Sequence, residues 1–139
     1  MVLLDTCAVI WLANKAPMSK AATDAIEVAS LQGQTLISVA SAWEIGLLTR
    51  PRGERPPGLQ LFPDPHTWFR DILDGPGIRL ATLTPQIAID ASHLPGKFHA
   101  DPADRLVTAT ARSLGASIIT RDRKILAYAE AGFVEAIAC

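Results

Sequence analysis

Val2-Leu3-Leu4-Asp5-Thr6 opens the chain, and Ser117-Ile118-Ile119-Thr120-Arg121-Asp122 stands near its far end. Each is a short run dominated by aliphatic residues that stops at an acid: Asp5 directly, Asp122 two residues past the run. Runs of this kind, bounded by polar residues, read as short strands buried in a sheet. In an open α/β sheet, ligands bind beyond the carboxyl ends of the strands. If these two strands pair as neighbours, Asp5 and Asp122 are aimed at the same sheet edge.

Working outward from them, strands and helices alternate. Residues 6–14 are apolar at helical spacing. Ser19 is placed to cap an alanine-rich helix that runs to Gln32, with Gly33 just past its end. Thr35-Leu36-Ile37-Ser38 reads as a second strand, and Ser38 caps a helix to about Arg50. Residues 51–63 carry Pro51, Gly53, Pro56, Pro57, Gly58 and Pro63 and read as a loop. Asp64-Pro65, Thr84-Pro85 and Asp101-Pro102 each pair a cap with a proline at the first helical position. They open three helices, closed near Gly75, Pro95 and Gly115. Residues 78–83 form a third strand, 117–120 a fourth, 122–130 a helix and 133–137 a last short strand. This order predicts a three-layer α/β/α fold around a central, mostly parallel sheet of four to five strands. The 139 residues, 49% of them hydrophobic, suit one domain spanning 1–139.

That composition is too apolar for a disordered chain. No apolar run approaches the roughly 20 residues of a membrane helix, and no basic leader precedes the first strand. Cys7 and Cys139 make no disulfide framework or zinc spacing, so a reducing, cytoplasmic setting is expected. With 13 basic and 14 acidic residues there is no large positive excess for gripping nucleic acid. The basic residues are clustered instead: Arg50, Arg52 and Arg55 in one segment, Arg121, Arg123 and Lys124 in another.

The acids carry the chemical reading. Asp5 and Asp122 can each be a helix cap, a site residue, or both. Glu44 sits in Ala42-Trp43-Glu44-Ile45-Gly46-Leu47-Leu48, on a helix apolar almost all round and so expected to be buried. Ser38, Ser41 and Glu44 form its one polar stripe, and no lysine or arginine lies one turn away. A buried carboxylate needs a cation, a hydrogen-bond donor or a proton. Asp101 is explained as an N-cap, and Asp104, at the third helical position, suits the positive end of the helix dipole. Carboxylates converging without counter-cations repel one another, and a hard divalent ion with oxygen ligands resolves that conflict. Such an ion can activate water against a phosphoryl group.

Four segments in this order resemble the PIN-domain family, and within it the VapC-like toxins of bacterial toxin–antitoxin pairs. They are Leu3-Leu4-Asp5-Thr6, Ser41-Ala42-Trp43-Glu44-Ile45, His99-Ala100-Asp101-Pro102-Ala103-Asp104-Arg105 and Thr120-Arg121-Asp122. The resemblance spans nearly the whole chain. It implies metal-binding, catalytic acids at Asp5, Glu44, Asp104 and Asp122, supported by Thr6, Thr120 and Asp101. It also implies Mg²⁺- or Mn²⁺-dependent cleavage of RNA, a homodimer, and neutralisation by a small antitoxin protein. Leu48 departs from the pattern, standing where such relatives often carry a lysine. Arg50 and Arg52 are the nearest basic residues that could make an RNA contact in its place.

Two other classes fit the sequence less well. A haloacid-dehalogenase-like phosphatase wants a second Asp two residues after the first, where Cys7 stands. A catalytically inactive RNA-binding or scaffold PIN domain would have lost acids, and all four are present. His66, His93 and His99 show no ligand spacing and read as surface or loop residues. The apolar first helix and the Trp43 helix carry more hydrophobic surface than one small core needs, which predicts a dimer contact or a groove for an antitoxin helix.

Overall fold

The computed structural model describes residues 1–139. Five strands, β1 (Val2–Leu4), β2 (Thr35–Ser38), β3 (Ile78–Ala81), β4 (Ser117–Thr120) and β5 (Glu135–Ala138), form one sheet in the order β3-β2-β1-β4-β5. Every pairing is parallel, so the expected mostly parallel sheet is wholly so. β3 ends at Ala81, short of residue 83, and β5 lies one to two residues beyond 133–137. Both are edge strands, where one missing neighbour leaves the ends less firmly defined.

Seven helices cover the sheet: α1 (Thr6–Ala13), α2 (Lys20–Leu31), α3 (Val39–Thr49), α4 (Pro65–Leu73), α5 (Pro85–Ser92), α6 (Pro102–Leu114) and α7 (Arg123–Glu130). Strand side chains alternate between faces. Val2, Leu4, Ile37 and Ile119 therefore pack on one side with Val9, Ile26, Ile45 and the α4 residues Phe69 and Ile72. Leu3, Leu36 and Ile118 pack on the other with Val107 of α6 and Ile125 of α7. Each fully buried aliphatic of this kind contributes about 1.5–3 kcal/mol. A satellite cluster of Ile87, Leu94 and Tyr128 joins α5 to α6 and α7.

Cap chemistry sets the helix starts as the sequence predicts. Asp5, Ser19, Ser38, Asp64, Thr84, Asp101 and Asp122 each accept a backbone N–H of the first turn. Gly77, at φ +73°, turns the chain from α4 into β3, and a Cβ there would stand 2.0 Å from the Ser30 carbonyl oxygen. This close approach lets α2 pack beside the start of the edge strand.

α3 departs from the expectation of burial but shows the surplus apolar surface its sequence predicts. It is buried on one face only, through Ala40, Ser41 and Ile45. Val39, Trp43 and Leu47, spaced by one helical turn, lie exposed on the other. An apolar sequence all round thus marks a helix whose outer stripe is also apolar.

Candidate active site

The order β3-β2-β1-β4-β5 reverses direction between β1 and β4, and the crevice beyond those two strands is where such sheets place ligands. Asp5 leaves β1 there and caps α1. Its Oδ1 accepts from the Ala8 N–H at 2.6 Å, and its Oδ2 accepts from the Thr120 hydroxyl. Thr120 is fully buried, and its Oγ1 also accepts the Asp122 N–H at 2.9 Å. One hydroxyl therefore ties the ends of β1 and β4 together. Asp122 caps α7, its Oδ1 accepting from Lys124 at 2.6 Å and Ile125 at 3.1 Å. Asp5 and Asp122 are thus caps and crevice residues at once.

Glu44 comes from α3, half-buried, with its Oε2 accepting from the Thr6 hydroxyl. One turn earlier on the same helix, the buried Ser41 Oγ has no hydrogen-bond partner. Asp104 comes from the first turn of α6. Asp101, exposed, caps that helix, its Oδ1 accepting from Ala103 at 3.0 Å and Asp104 at 3.1 Å.

The electrostatics join these acids into one group. Burial pushes the Asp104 carboxyl up to about 7, and the charges of Asp101, Asp122, Glu44 and Asp5 add to the rise. Burial also raises Asp5, against the lowering effect of its Thr120 and Ala8 hydrogen bonds, with the Asp122 charge adding to the rise. Glu44 is raised by burial too, offset by the Thr6 hydroxyl and reinforced by Asp101 and Asp5. Cys7, beside the group, is pushed up to about 11 by burial and then by Asp5, Glu44 and Asp104, which keeps it a thiol. No lysine or arginine forms an ion pair with any of these acids.

His99 was not among the expected site residues. Its Nδ1 accepts from the Asp101 N–H at 3.4 Å, and Nε2 lies 3.3 Å from Asp104 Oδ2. The angles there fall short of a full hydrogen bond, so Nε2 is close to the carboxylate without being satisfied by it. Arg105 fixes this loop by donating to the carbonyls of Ala91, Ser92, Phe98 and His99. The sequence clue was the Asp-Pro cap two residues after His99, which forces a tight turn and brings the ring back over the helix start.

Glu44 Oε1, Asp104 Oδ1 and Asp122 Oδ2 accept no hydrogen bond from the protein. No three acidic, histidine or cysteine side chains are drawn together tightly enough to enclose an ion by themselves. The donor set nevertheless fits a hard divalent cation: it is all carboxylate, has no lysine or arginine paired to it and keeps oxygens free of hydrogen bonds. Mg²⁺ in particular retains several waters and needs only one or two direct carboxylates.

Comparison with known proteins agrees with this architecture. The PIN domain family model matches residues 2–131, and the chain belongs to the PIN-domain family. Within that family it is similar to Ribonuclease VapC22 of Mycobacterium tuberculosis, at 34% identity over 128 residues covering 91% of both chains. Among solved structures, the fold is shared with VapBC2 from Rickettsia felis bound to a promoter DNA fragment, at a TM-score of 0.66 and 14% identity over 99% of this chain and 98% of that one. It is likewise shared with DNA-bound VapBC from Salmonella typhimurium, at a TM-score of 0.65 and 14% identity over the same shares.

Proposed function

We propose that this protein is a metal-dependent endoribonuclease, the toxin of a toxin–antitoxin pair, with residues 1–139 forming one catalytic domain. The observation that carries the proposal is the crevice at the β1–β4 switch. Carboxyls from four separate elements border it, three of them raised by burial and by neighbouring acids, with no lysine or arginine paired to any of them. The similarity to a named VapC ribonuclease supports RNA as substrate.

Asp5, Glu44, Asp104 and Asp122 would hold Mg²⁺ or Mn²⁺. When bound, such an ion lowers the pKa of water and stabilises charge on a phosphoryl group. Thr120 fixes Asp5 and the Asp122 backbone, Thr6 turns Glu44 into the crevice, and Asp101 sets the helix start that presents Asp104. A single histidine stands at the acids, and its Nδ1 is taken by the Asp101 N–H. No histidine pair is in place to drive attack by the ribose 2′-hydroxyl, so the products should carry a 3′-hydroxyl and a 5′-phosphate.

The proposed protein partners are a small antitoxin, in keeping with the VapBC complexes that share the fold, and a second copy of the chain. The exposed Val39–Trp43–Leu47 stripe is available to either. No helix is long and apolar enough to cross a membrane, and action in the cytoplasm is part of the proposal. The test is cleavage of total RNA by the purified chain, with the new ends mapped. EDTA should abolish cleavage, Mg²⁺ or Mn²⁺ should restore it, and Asp5→Asn and Glu44→Gln should each remove it. Cleavage that persists in EDTA, or cyclic phosphate ends, would overturn the mechanism.

A further inference from the structure

A second concavity lies against the acid cluster. It has a volume of about 450 Å³, between the loop that follows α5 and the length of α7 with the turn beyond it. Its walls include Lys97, Phe98, His99, Lys124, Tyr128 and Phe133. Two of these residues reach the acids directly. His99 Nε2 is 3.3 Å from Asp104 Oδ2, and the Lys124 N–H is bonded to Asp122 Oδ1 at 2.6 Å. The cavity and the crevice are therefore a side chain apart.

The wall is rigid and aromatic. Phe98 and Tyr128 have ring centroids 4.7 Å apart, and Tyr128 and Phe133 lie stacked at 4.8 Å. The Tyr128 hydroxyl is fixed by donating to the Pro95 carbonyl at 2.6 Å. Gly96 lies so close to Phe133 that a Cβ there would come within 2.6 Å of the ring, so the backbone holds that ring from one side. At the rim stand Lys97 and Lys124, both exposed and neither paired with a carboxylate. A volume of a few hundred Å³, an apolar wall and a few convergent polar groups are the ordinary attributes of a ligand site.

We infer that this cavity is a subsite for one unpaired nucleotide of the RNA strand, next to the bond that is cut. The inference rests on the ribonuclease reading above and extends it to the substrate. A phosphodiester chain that approaches Asp5, Glu44, Asp104 and Asp122 meets like charge, and the chain as a whole carries a net charge of −1. Binding therefore needs local cations beside the acids. Lys97 and Lys124 supply two, spaced around an aromatic wall. Single-stranded RNA is held in this way by proteins generally, through bases against aromatic rings and phosphates on basic groups. The site would favour an unstacked nucleotide over duplex, because a base-paired nucleotide cannot enter a cavity.

The experiment uses the full chain and a fluorescein-labelled single-stranded RNA with 2′-O-methyl groups throughout. Binding is read by anisotropy with Ca²⁺ in place of Mg²⁺, over a series of salt concentrations. The variant Lys97→Ala/Lys124→Ala is compared with Lys20→Ala/Arg79→Ala, which removes the same charge from α2 and β3. The first should lower the slope of log affinity against log salt by about 1.4, the release expected for two phosphate contacts on a single strand. The second should leave it unchanged. In cleavage of unmodified RNA, the first should raise KM with kcat kept. Because Phe98 and Phe133 also pack the fold, the wall is tested without mutation: 5-iodouridine RNA should photo-crosslink to Phe98, Tyr128 or Phe133. Equal salt slopes and equal KM for the two double variants, or crosslinks confined to the Arg50–Arg55 loop, would overturn the subsite while wild-type cleavage stands. A wild type that neither binds nor cuts any RNA would overturn the ribonuclease reading itself.

Discussion

Replacing Asp104 with Asn is expected to stabilise the metal-free protein above neutral pH. The Asp104 carboxyl is pushed from 3.8 up to about 7, by burial first and then by Asp101, Asp122, Glu44 and Asp5. Between those two values the folded chain holds a proton that the unfolded chain has released. Stability therefore falls as pH rises through that window, and above about 7 the whole penalty is present. About three units at 1.36 kcal/mol each set a ceiling of about 4 kcal/mol. The side chain is 22% exposed. Water screens part of the interaction, which brings the figure nearer to about 2 kcal/mol. Asn keeps the shape but gives up a charge at the helix N-terminus that is worth about 0.3–1 kcal/mol. A net gain of about 1–2 kcal/mol remains, or roughly 3–6 °C in Tm for a chain of this size. The assay is thermal melting of wild type, Asp104→Asn and Asp24→Asn in EDTA at pH 8 and pH 4, then at pH 8 with Mn²⁺. Asp24 is the control because its only ion pair is the exposed one with Lys20. The gain should be seen at pH 8 and shrink at pH 4, where wild-type Asp104 is already protonated. The Mn²⁺-induced rise should be smaller in Asp104→Asn, as mass action requires when a ligand group is lost. If Asp104→Asn melts lower than wild type at pH 8 without metal and keeps the full Mn²⁺ shift, Asp104 is a helix-end residue and the reasoning fails.

Thr120→Val should leave an Asp5 carboxylate oxygen and the Asp122 N–H without their shared partner, at a cost of about 1–3 kcal/mol seen in urea denaturation, and ribonuclease activity should fall with it. Gly77→Ala should destabilise by more than about 1 kcal/mol, because it meets both an unfavourable positive φ and the Ser30 carbonyl; a neutral result in the same titration would contradict the packing of α2 on β3. Under the proposed metal assignment His99→Ala should weaken Mn²⁺ binding, read by calorimetry, whereas His99→Gln, which can still donate near Asp104, should recover part of it.

The fold was legible because local rules and the global pattern agree. Val2-Leu3-Leu4 and Ser117-Ile118-Ile119-Thr120 are strands, and Asp64-Pro65, Thr84-Pro85 and Asp101-Pro102 open helices where cap chemistry places them. The edges of β3 and β5 were less legible, since an edge strand ends where its single neighbour ends. Asp5 and Asp122 were legible as neighbours because each stands just past one of two paired strands, and Asp104 because the Asp101 cap puts it in the first turn of α6; Glu44 stands in the middle of α3, where only its polar stripe marked it. What composition could not supply was side-chain direction. α3 reads as apolar almost all round and so as buried, yet Val39, Trp43 and Leu47 face outward, because hydrophobicity alone does not say which stripe meets the sheet. His99 reads as a loop residue until Arg105 is seen to gather four carbonyls and hold its ring over Asp104.

The hydroxyl of Thr120 joins Asp5 to Asp122 across 115 positions of sequence between Thr120 and Asp5. This span makes the crevice a late product of synthesis. A nascent chain carries Asp5 and Glu44 long before β4 exists, and in that interval the carboxylate of Asp5 has no Thr120 to orient it. Contacts so distant in sequence form only after the intervening loop has been closed. A chain that ends before β4 would thus hold Asp5, Glu44 and Asp104 but neither Thr120 nor Asp122. A cell that makes such an enzyme has, in the topology itself, a delay between translating the chain and facing its activity.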